Sequence, residues 1–109
     1  MNLLFICSRN EWRSRTAETI FRNHPNHHVR SAGTSKMARI RVNRSMLAWA
    51  DIIFVMESHH KKRLQETFPD LLPTSELIVL DIPDEYPFMD PDLIQDLKDC
   101  VSAYLGEAF

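Results

Sequence analysis

Within residues 2–6, Leu3–Ile6 form an unbroken apolar run, the pattern of a parallel strand buried on both faces. Across residues 14–23 the apolar positions Ala17, Ile20 and Phe21 fall at helical spacing, and Ser14 suits the N-cap. A short strand follows at His28–Ser31, closed by the turn Ala32-Gly33-Thr34. Asn43–Trp49 reads as a short helix capped by Asn43. Asp51–Met56 is the clearest strand in the chain. Ser58 can cap the next helix, whose apolar contacts include Leu64 and Phe68. Leu77–Leu80 reads as a fourth strand, and Asp81–Pro87 as a loop. The last helix, Pro91–Leu105, is expected to bury Leu93, Ile94, Leu97, Val101 and Tyr104. Strands alternate with helices, which predicts an α/β fold with a parallel sheet and helices on both faces. Ligands in such folds bind at the carboxyl ends of the strands. Cys7 and the Asp81–Asp84 loop both follow strands directly, so they share that edge.

Composition narrows the class. With 109 residues, 44% of them hydrophobic, the chain fits one domain with a real core. A net charge of -2 argues against a general nucleic-acid binder and leaves room for local basic clusters. No apolar stretch approaches the roughly 20 residues of a membrane helix. The N-terminal apolar run lacks a basic segment and a cleavage site, so it reads as a strand and not a signal peptide. Cys7 and Cys100 are the two cysteines, too few for a disulfide framework without a secretion signal, and the expected location is cytoplasmic. Cys100 reads as a small core or helix residue.

The segment from Cys7 to Ser14 carries the chemistry. A strand ends in Cys7, a polar loop follows, Arg13 lies six residues on, and a helix begins. A helix N-terminus behind a loop of backbone N–H groups is a natural phosphate site. Cys7 can attack the phosphorus, since a helix N-terminus and cations favour a thiolate. The backbone of Ser8, Arg9, Asn10, Glu11, Trp12 and Arg13 can cradle the phosphoryl oxygens, and the Arg13 fork suits two oxygens at once. Ser14 can donate its hydroxyl hydrogen to the sulfur. The loop has no glycine, so Asn10 is the residue best suited to a left-handed backbone angle. Asp81 and Asp84 are both candidates for the acid that protonates the leaving oxygen. The competing reading makes Cys7 a buried strand end, Arg13 a solvated cation, and both aspartates turn residues beside Pro83.

At Ile6–Ser14 the chain resembles the phosphate loop of the low-molecular-weight protein tyrosine phosphatases, V-C-x-G-N-x-C-R-S. Cys7, Asn10, Arg13 and Ser14 fall on matching positions. Ala17-Glu18 resembles the start of the family's first helix. Ser31–Thr34 resembles its S-A-G-T turn, Ala50–Glu57 its A-D-x-I-x-x-M-D strand, and Asp81–Tyr86 its acid loop, D-x-P-D-P-Y. The resemblance implies one phosphatase-like domain over residues 1–109, a three-layer α/β sandwich with a four-stranded parallel sheet, and neither cofactor nor metal. It implies Cys7 as nucleophile, Arg13 as phosphate clamp and Asp84 as general acid. Asn10 and Ser31 would support the loop, Ser14 would stabilise the thiolate, Asp81 would play a supporting part, and Tyr86 would line the substrate entrance. The implied partner is a phosphorylated substrate, a phosphotyrosine protein or another phosphoester, with nucleic acid only as substrate and no membrane.

The departures bear on the substrate. Arg9 replaces the loop glycine, Trp12 replaces the second loop cysteine, and Glu85 replaces the acid-loop proline. The chain is shorter than typical members between Thr34 and Ala38-Arg39. The histidine that braces the family's loop has no counterpart between Val29 and Ser58. Trp12 can supply an aromatic wall, and Arg9, Arg15, Lys36, Arg39 and Arg41 can ring the mouth. An arsenate reductase of this fold needs further relay cysteines, and only Cys100 is at hand. A phosphatase for nucleotides or RNA ends, or a phosphate-binding module without turnover, are the alternatives. The pairs His27-His28 and His59-His60 have no recognisable zinc spacing, and His59–Arg63 reads as a solvated face.

Overall fold

The computed structural model describes residues 1–71 and 76–109. Four strands, β1 (Asn2–Cys7), β2 (His28–Gly33), β3 (Ile52–Val55) and β4 (Glu76–Val79), alternate with four helices, α1 (Arg13–Phe21), α2 (Arg44–Trp49), α3 (Ser58–Thr67) and α4 (Pro91–Leu105). All strand pairs are parallel, in the order β2-β1-β3-β4. The expected three-layer α/β sandwich is therefore present.

The apolar run of β1 is explained by its central place. Leu3, Phe5 and Cys7 face one layer with Ala17 and Phe21 of α1 and Leu93, Leu97 and Val101 of α4. Leu4 and Ile6 face the other, with Leu47 of α2 and Leu64 of α3. β3 divides the same way, and Phe5 stacks on Phe54 with centroids 5.0 Å apart. The alternation puts the Cys7 side chain on the α1/α4 face. The chain leaves β1 toward β2, then crosses back to place β3 on the other side of β1. The carboxyl end of β1 is thus the point where the winding reverses, which is where such sheets bind ligands.

Three local expectations are corrected. Ser14 is not a cap: α1 starts at Arg13, its N-cap is Trp12 without a side-chain bond, and the Ser14 hydroxyl is used elsewhere. Glu57, not Ser58, caps α3, in a reciprocal box with His60 at the third helical position. Tyr104 is exposed and Ile94 only half buried, because the buried stripe of α4 is the narrower set Leu93, Leu97 and Val101. Asn43 caps α2 as expected, accepting from Met46 N at 2.9 Å.

Candidate active site

The loop from Ser8 to Trp12 is held from outside by its carbonyls. Cys7 O accepts from Thr34 N, Ser8 O from Ser35 N and Arg9 O from Arg39 N, at 3.0, 2.9 and 2.9 Å. Asn10 O accepts from Arg39 Nε at 3.0 Å. With the oxygens turned to the 34–39 segment, the amides are left for the other side. The N–H groups of Ser8, Arg9, Glu11, Trp12 and Arg13 find no acceptor among the described residues, and that of Asn10 donates to Cys7 Sγ at 3.3 Å. A row of free amides at the start of a helix is an anion cradle.

Asn10 makes the turn possible. It takes the left-handed backbone angle expected of it, with φ of 57°, and is fully buried. Its Nδ2 bridges Ser14 Oγ at 2.7 Å and Ser31 Oγ at 2.9 Å. Gly33 is the second backbone requirement. A Cβ there would sit 2.5 Å from Ser8 O and 2.7 Å from the Ala38 Cβ, so only glycine lets β2 lie against the loop.

Cys7 Sγ lies 2.9 Å from Ser14 Oγ. Ser14 Oγ accepts from Asn10 and lies 3.3 Å from Ala32 O. Its single hydrogen therefore has two destinations. With a neutral thiol, S–H donates to Ser14 and the hydroxyl donates to Ala32 O. With a thiolate, the hydroxyl turns to the sulfur and stabilises the anion.

Arg13 is 3% exposed. Its Nη1 donates to Glu57 and, at 3.0 Å, to Ile82 O, while Nε lies 3.7 Å from Asp84 Oδ1. Nη2 has no partner among the described residues. Burial pushes the Glu57 carboxyl up, but the hydrogen bond and charge of Arg13, helped by His59, outweigh it and hold Glu57 below its ordinary range. Glu57 thus orients the guanidinium as a charged partner. The loop bearing Asp84 is fastened at both ends. Ile82 N donates to Met56 O at 2.8 Å, and Met89 N to Thr16 Oγ1 at 3.0 Å.

Cys7, Ser8, Arg9, Glu11, Trp12, Arg13 and Asp84 line one cleft of about 360 Å³. The candidate nucleophile, cation and acid are therefore together. Asn10, Ser14 and Ser31 lie beneath, buried. Asp81 is elsewhere: exposed, at φ of 57°, it lines a separate groove with Glu57, Ser58, His59 and Pro83. Tyr86 does not line the Cys7 cleft. Its ring packs on the α1/α4 core and its hydroxyl lies 3.5 Å from Asp96 of α4. The basic ring does not form either. Only Arg9 reaches the cleft, Arg15 stacks over Phe88 at 4.6 Å, Arg39 braces the loop from behind, and Lys36 and Arg41 line a different groove.

His60 is the residue sequence reasoning missed. Read as part of a solvated charge run, it is instead fully buried. Its Nδ1 accepts from Glu57 N at 3.0 Å, so the ring proton sits on Nε2 and is donated to Ser8 Oγ at 2.8 Å. The Ser8 hydroxyl hydrogen is then free to point into the cleft. Burial, with the nearby charges of His59 and Arg13, pushes the imidazole down to about 3, so it stays neutral. A histidine brace on the loop exists after all, supplied by α3. The spacing His60, Leu64, Phe68 at four-residue steps is the signal that marks His60 as inward-facing.

Glu57, His59 and His60, and separately His24, His27 and Glu107, bring ligand atoms within 4.8 Å of one another. In both groups the buried histidine has its ring nitrogens engaged, His60 as above and His27 with the N-terminal amine and Glu107. Cys7 and Cys100 are free thiols. Burial and the carboxylates of Asp96, Asp99 and Asp81 push the Cys100 thiol up, which disfavours its thiolate.

No family model and no curated protein matches the sequence. Solved structures do match in fold. The tyrosine phosphatase Wzb from Escherichia coli K30, in complex with phosphate, superposes with a TM-score of 0.77 at 19% identity, over 96% of each chain. The low molecular weight protein tyrosine phosphatase SP-PTP from Streptococcus pyogenes gives 0.74 at 16% identity, over 96% of this chain and 91% of that one. The YwlE arginine phosphatase from Geobacillus stearothermophilus gives 0.71 at 20% identity, over 96% and 92%. The fold is that of the low-molecular-weight phosphatase structures.

Proposed function

We propose that the chain is a cysteine-dependent phosphomonoesterase acting on phosphotyrosine in proteins, through a single phosphatase-like domain working in the cytoplasm. The observation that carries this reading is the shared cleft: Cys7, hydrogen-bonded to Ser14, opens into the same space as Arg13, Asp84 and the unpartnered loop amides. The structural neighbours include tyrosine phosphatases and an arginine phosphatase. Trp12, 47% exposed on the cleft wall, offers an aromatic face that suits a phenyl phosphate. Free thiols, and no described helix long and apolar enough to cross a membrane, accord with the location.

In this mechanism the phosphoryl oxygens take the loop amides and the free edge of Arg13. The Cys7 thiolate attacks phosphorus, an S–P bond forms, and the P–O bond to the phenol breaks. Asp84 gives its proton to the departing oxygen. Asp84, now ionised, takes a proton from water as that water attacks phosphorus. The S–P bond breaks, and Ser14 turns its hydrogen to the released thiolate. Glu57 and His60 touch no substrate; they position Arg13 and Ser8. Catalysis rests on fixed donors facing developing charge.

The test is turnover of p-nitrophenyl phosphate. Cys7→Ser should abolish it, and Asp84→Asn should lower kcat by about a hundredfold or more. Unchanged turnover in Cys7→Ser would sink the mechanism. Phosphotyrosine, phosphoarginine and nucleotide substrates compared on the wild type decide the substrate class. Arg9, 3.8 Å from Glu11 on the same cleft wall, makes the nucleotide the runner-up as a cation that a second phosphate could draw from that carboxylate.

A further inference from the structure

Two of the cations that fail to ring the Cys7 cleft converge with a third on a neighbouring groove. Lys36 and Arg41 from the segment after β2 meet Arg63 of α3 around a space of about 160 Å³. All three are exposed, and none has a carboxylate within 4.0 Å among the described residues. Three other arginines are ion-paired, Arg9 with Glu11, Arg13 with Glu57 and Arg44 with Asp70, while Arg15, Arg22, Arg30 and Arg39 have no carboxylate within 4.0 Å among the described residues. In a chain of net charge -2, three unpaired cations at one groove are a local feature and not a general basic surface. Thr34, Thr67 and the half-buried Phe68 complete the lining over the buried Val42 and Leu64, so the groove is more polar than apolar.

The groove adjoins the Cys7 cleft through one shared wall. Ser8 lines the cleft, and its carbonyl is bonded to Ser35, whose neighbours Thr34 and Lys36 line the groove. On the other side His60 bonds the Ser8 hydroxyl, and Arg63 follows His60 by about one helical turn. An extended peptide advances roughly 3.3 Å per residue, so a side chain two to four residues from the phosphorylated one lies roughly 7–13 Å along the chain from it.

We infer that this groove is a subsite for an acidic side chain flanking the phosphorylated residue of a protein substrate, which makes the enzyme selective for phosphopeptides with Asp or Glu a few residues from the phosphate. The inference rests on the phosphatase reading. The three cations take the carboxylate of that side chain, and the groove's place beside the Ser8 wall of the cleft suits a residue tethered to the phosphorylated one.

The experiment compares kcat/KM for phosphotyrosine peptides that differ only by Asp or Asn at positions two to four residues on either side. Wild type should prefer the Asp peptide at one flank by about five- to tenfold at low salt, with the preference shrinking as salt screens it. The variant Lys36→Gln/Arg41→Gln/Arg63→Gln, changed only at exposed side chains, should lose the preference while keeping p-nitrophenyl phosphate turnover. Equal kcat/KM for Asp and Asn peptides overturns the inference, as does a preference that survives in the triple variant. A small bisphosphate preferred through the same three residues, with no peptide discrimination, also overturns it. If wild type fails to turn over p-nitrophenyl phosphate, the phosphatase reading falls separately. Fluorescence anisotropy of the same labelled peptides on Cys7→Ser then reads the groove alone, where equal affinities refute it.

Discussion

Replacing His60 by Gln tests the buried brace through its pH signature. The folded imidazole is pushed down to about 3 against an ordinary 6.5. Below pH 6.5 the unfolded chain takes up a proton there that the folded chain does not. The His60 contribution is therefore complete above pH 6.5 and is lost as pH falls toward 3. One such proton is worth about 1.4 kcal/mol per pH unit, so the wild type loses about 2 kcal/mol from this group by pH 5. Gln keeps a donor for Ser8 but leaves the buried Glu57 N–H without the acceptor it has in Nδ1. An orphaned donor costs about 1–3 kcal/mol. At pH 7 His60→Gln should be less stable by about 2 kcal/mol, and the gap should close near pH 5. Urea unfolding followed by tryptophan fluorescence at pH 7, 6 and 5 measures this. A gap that stays constant with pH would show that His60 is not held neutral and would refute the argument.

Gly33→Ala should destabilise by about 1–3 kcal/mol in thermal unfolding, because the new Cβ meets the backbone oxygen of Ser8 and not a yielding side chain. Its turnover should fall even at temperatures where it is folded, since the displaced atom belongs to the phosphate loop; intact turnover would show that the contact relaxes harmlessly. Arg13→Lys keeps the charge but cannot donate in a fork to Glu57, Ile82 O and a phosphoryl group together. Its kcat should drop by about a hundredfold, and near-normal turnover would mean that charge alone suffices.

Much of the architecture was legible because β1 and β3 are apolar on both faces and alternate with helical spacing. The left-handed turn at Asn10 was legible for a local reason, as no other loop residue tolerates that angle so well. What escaped was set by long-range contacts. His60 stands in a run of charged neighbours, and only its step to Leu64 and Phe68 betrays the inward stripe. Ser14 has the sequence signature of a cap, yet the sulfur at the end of β1 draws its hydroxyl away. The arginines were placed in one ring because sequence carries no side-chain direction for the segment 34–41. That segment folds back with Arg41 bridged to Gly33, which sends Lys36 and Arg41 toward α3. Tyr86 was drawn to the core by its ring, a pull invisible in the short motif around it.

The backing of the Cys7 loop by Thr34, Ser35 and Arg39 has a bearing on how this chain can diversify. One short segment both holds the loop carbonyls and lines the neighbouring groove through Thr34, Lys36 and Arg41. Insertions or deletions there would shift the backing of the loop and the lining of the groove in the same event. Side-chain change remains open at Lys36 and Met37, which are exposed and whose side chains hold no loop carbonyl. In this chain a change at Lys36 or Met37 should therefore leave the loop backing intact, whereas a change in the length of the segment between Gly33 and Arg41 should move it.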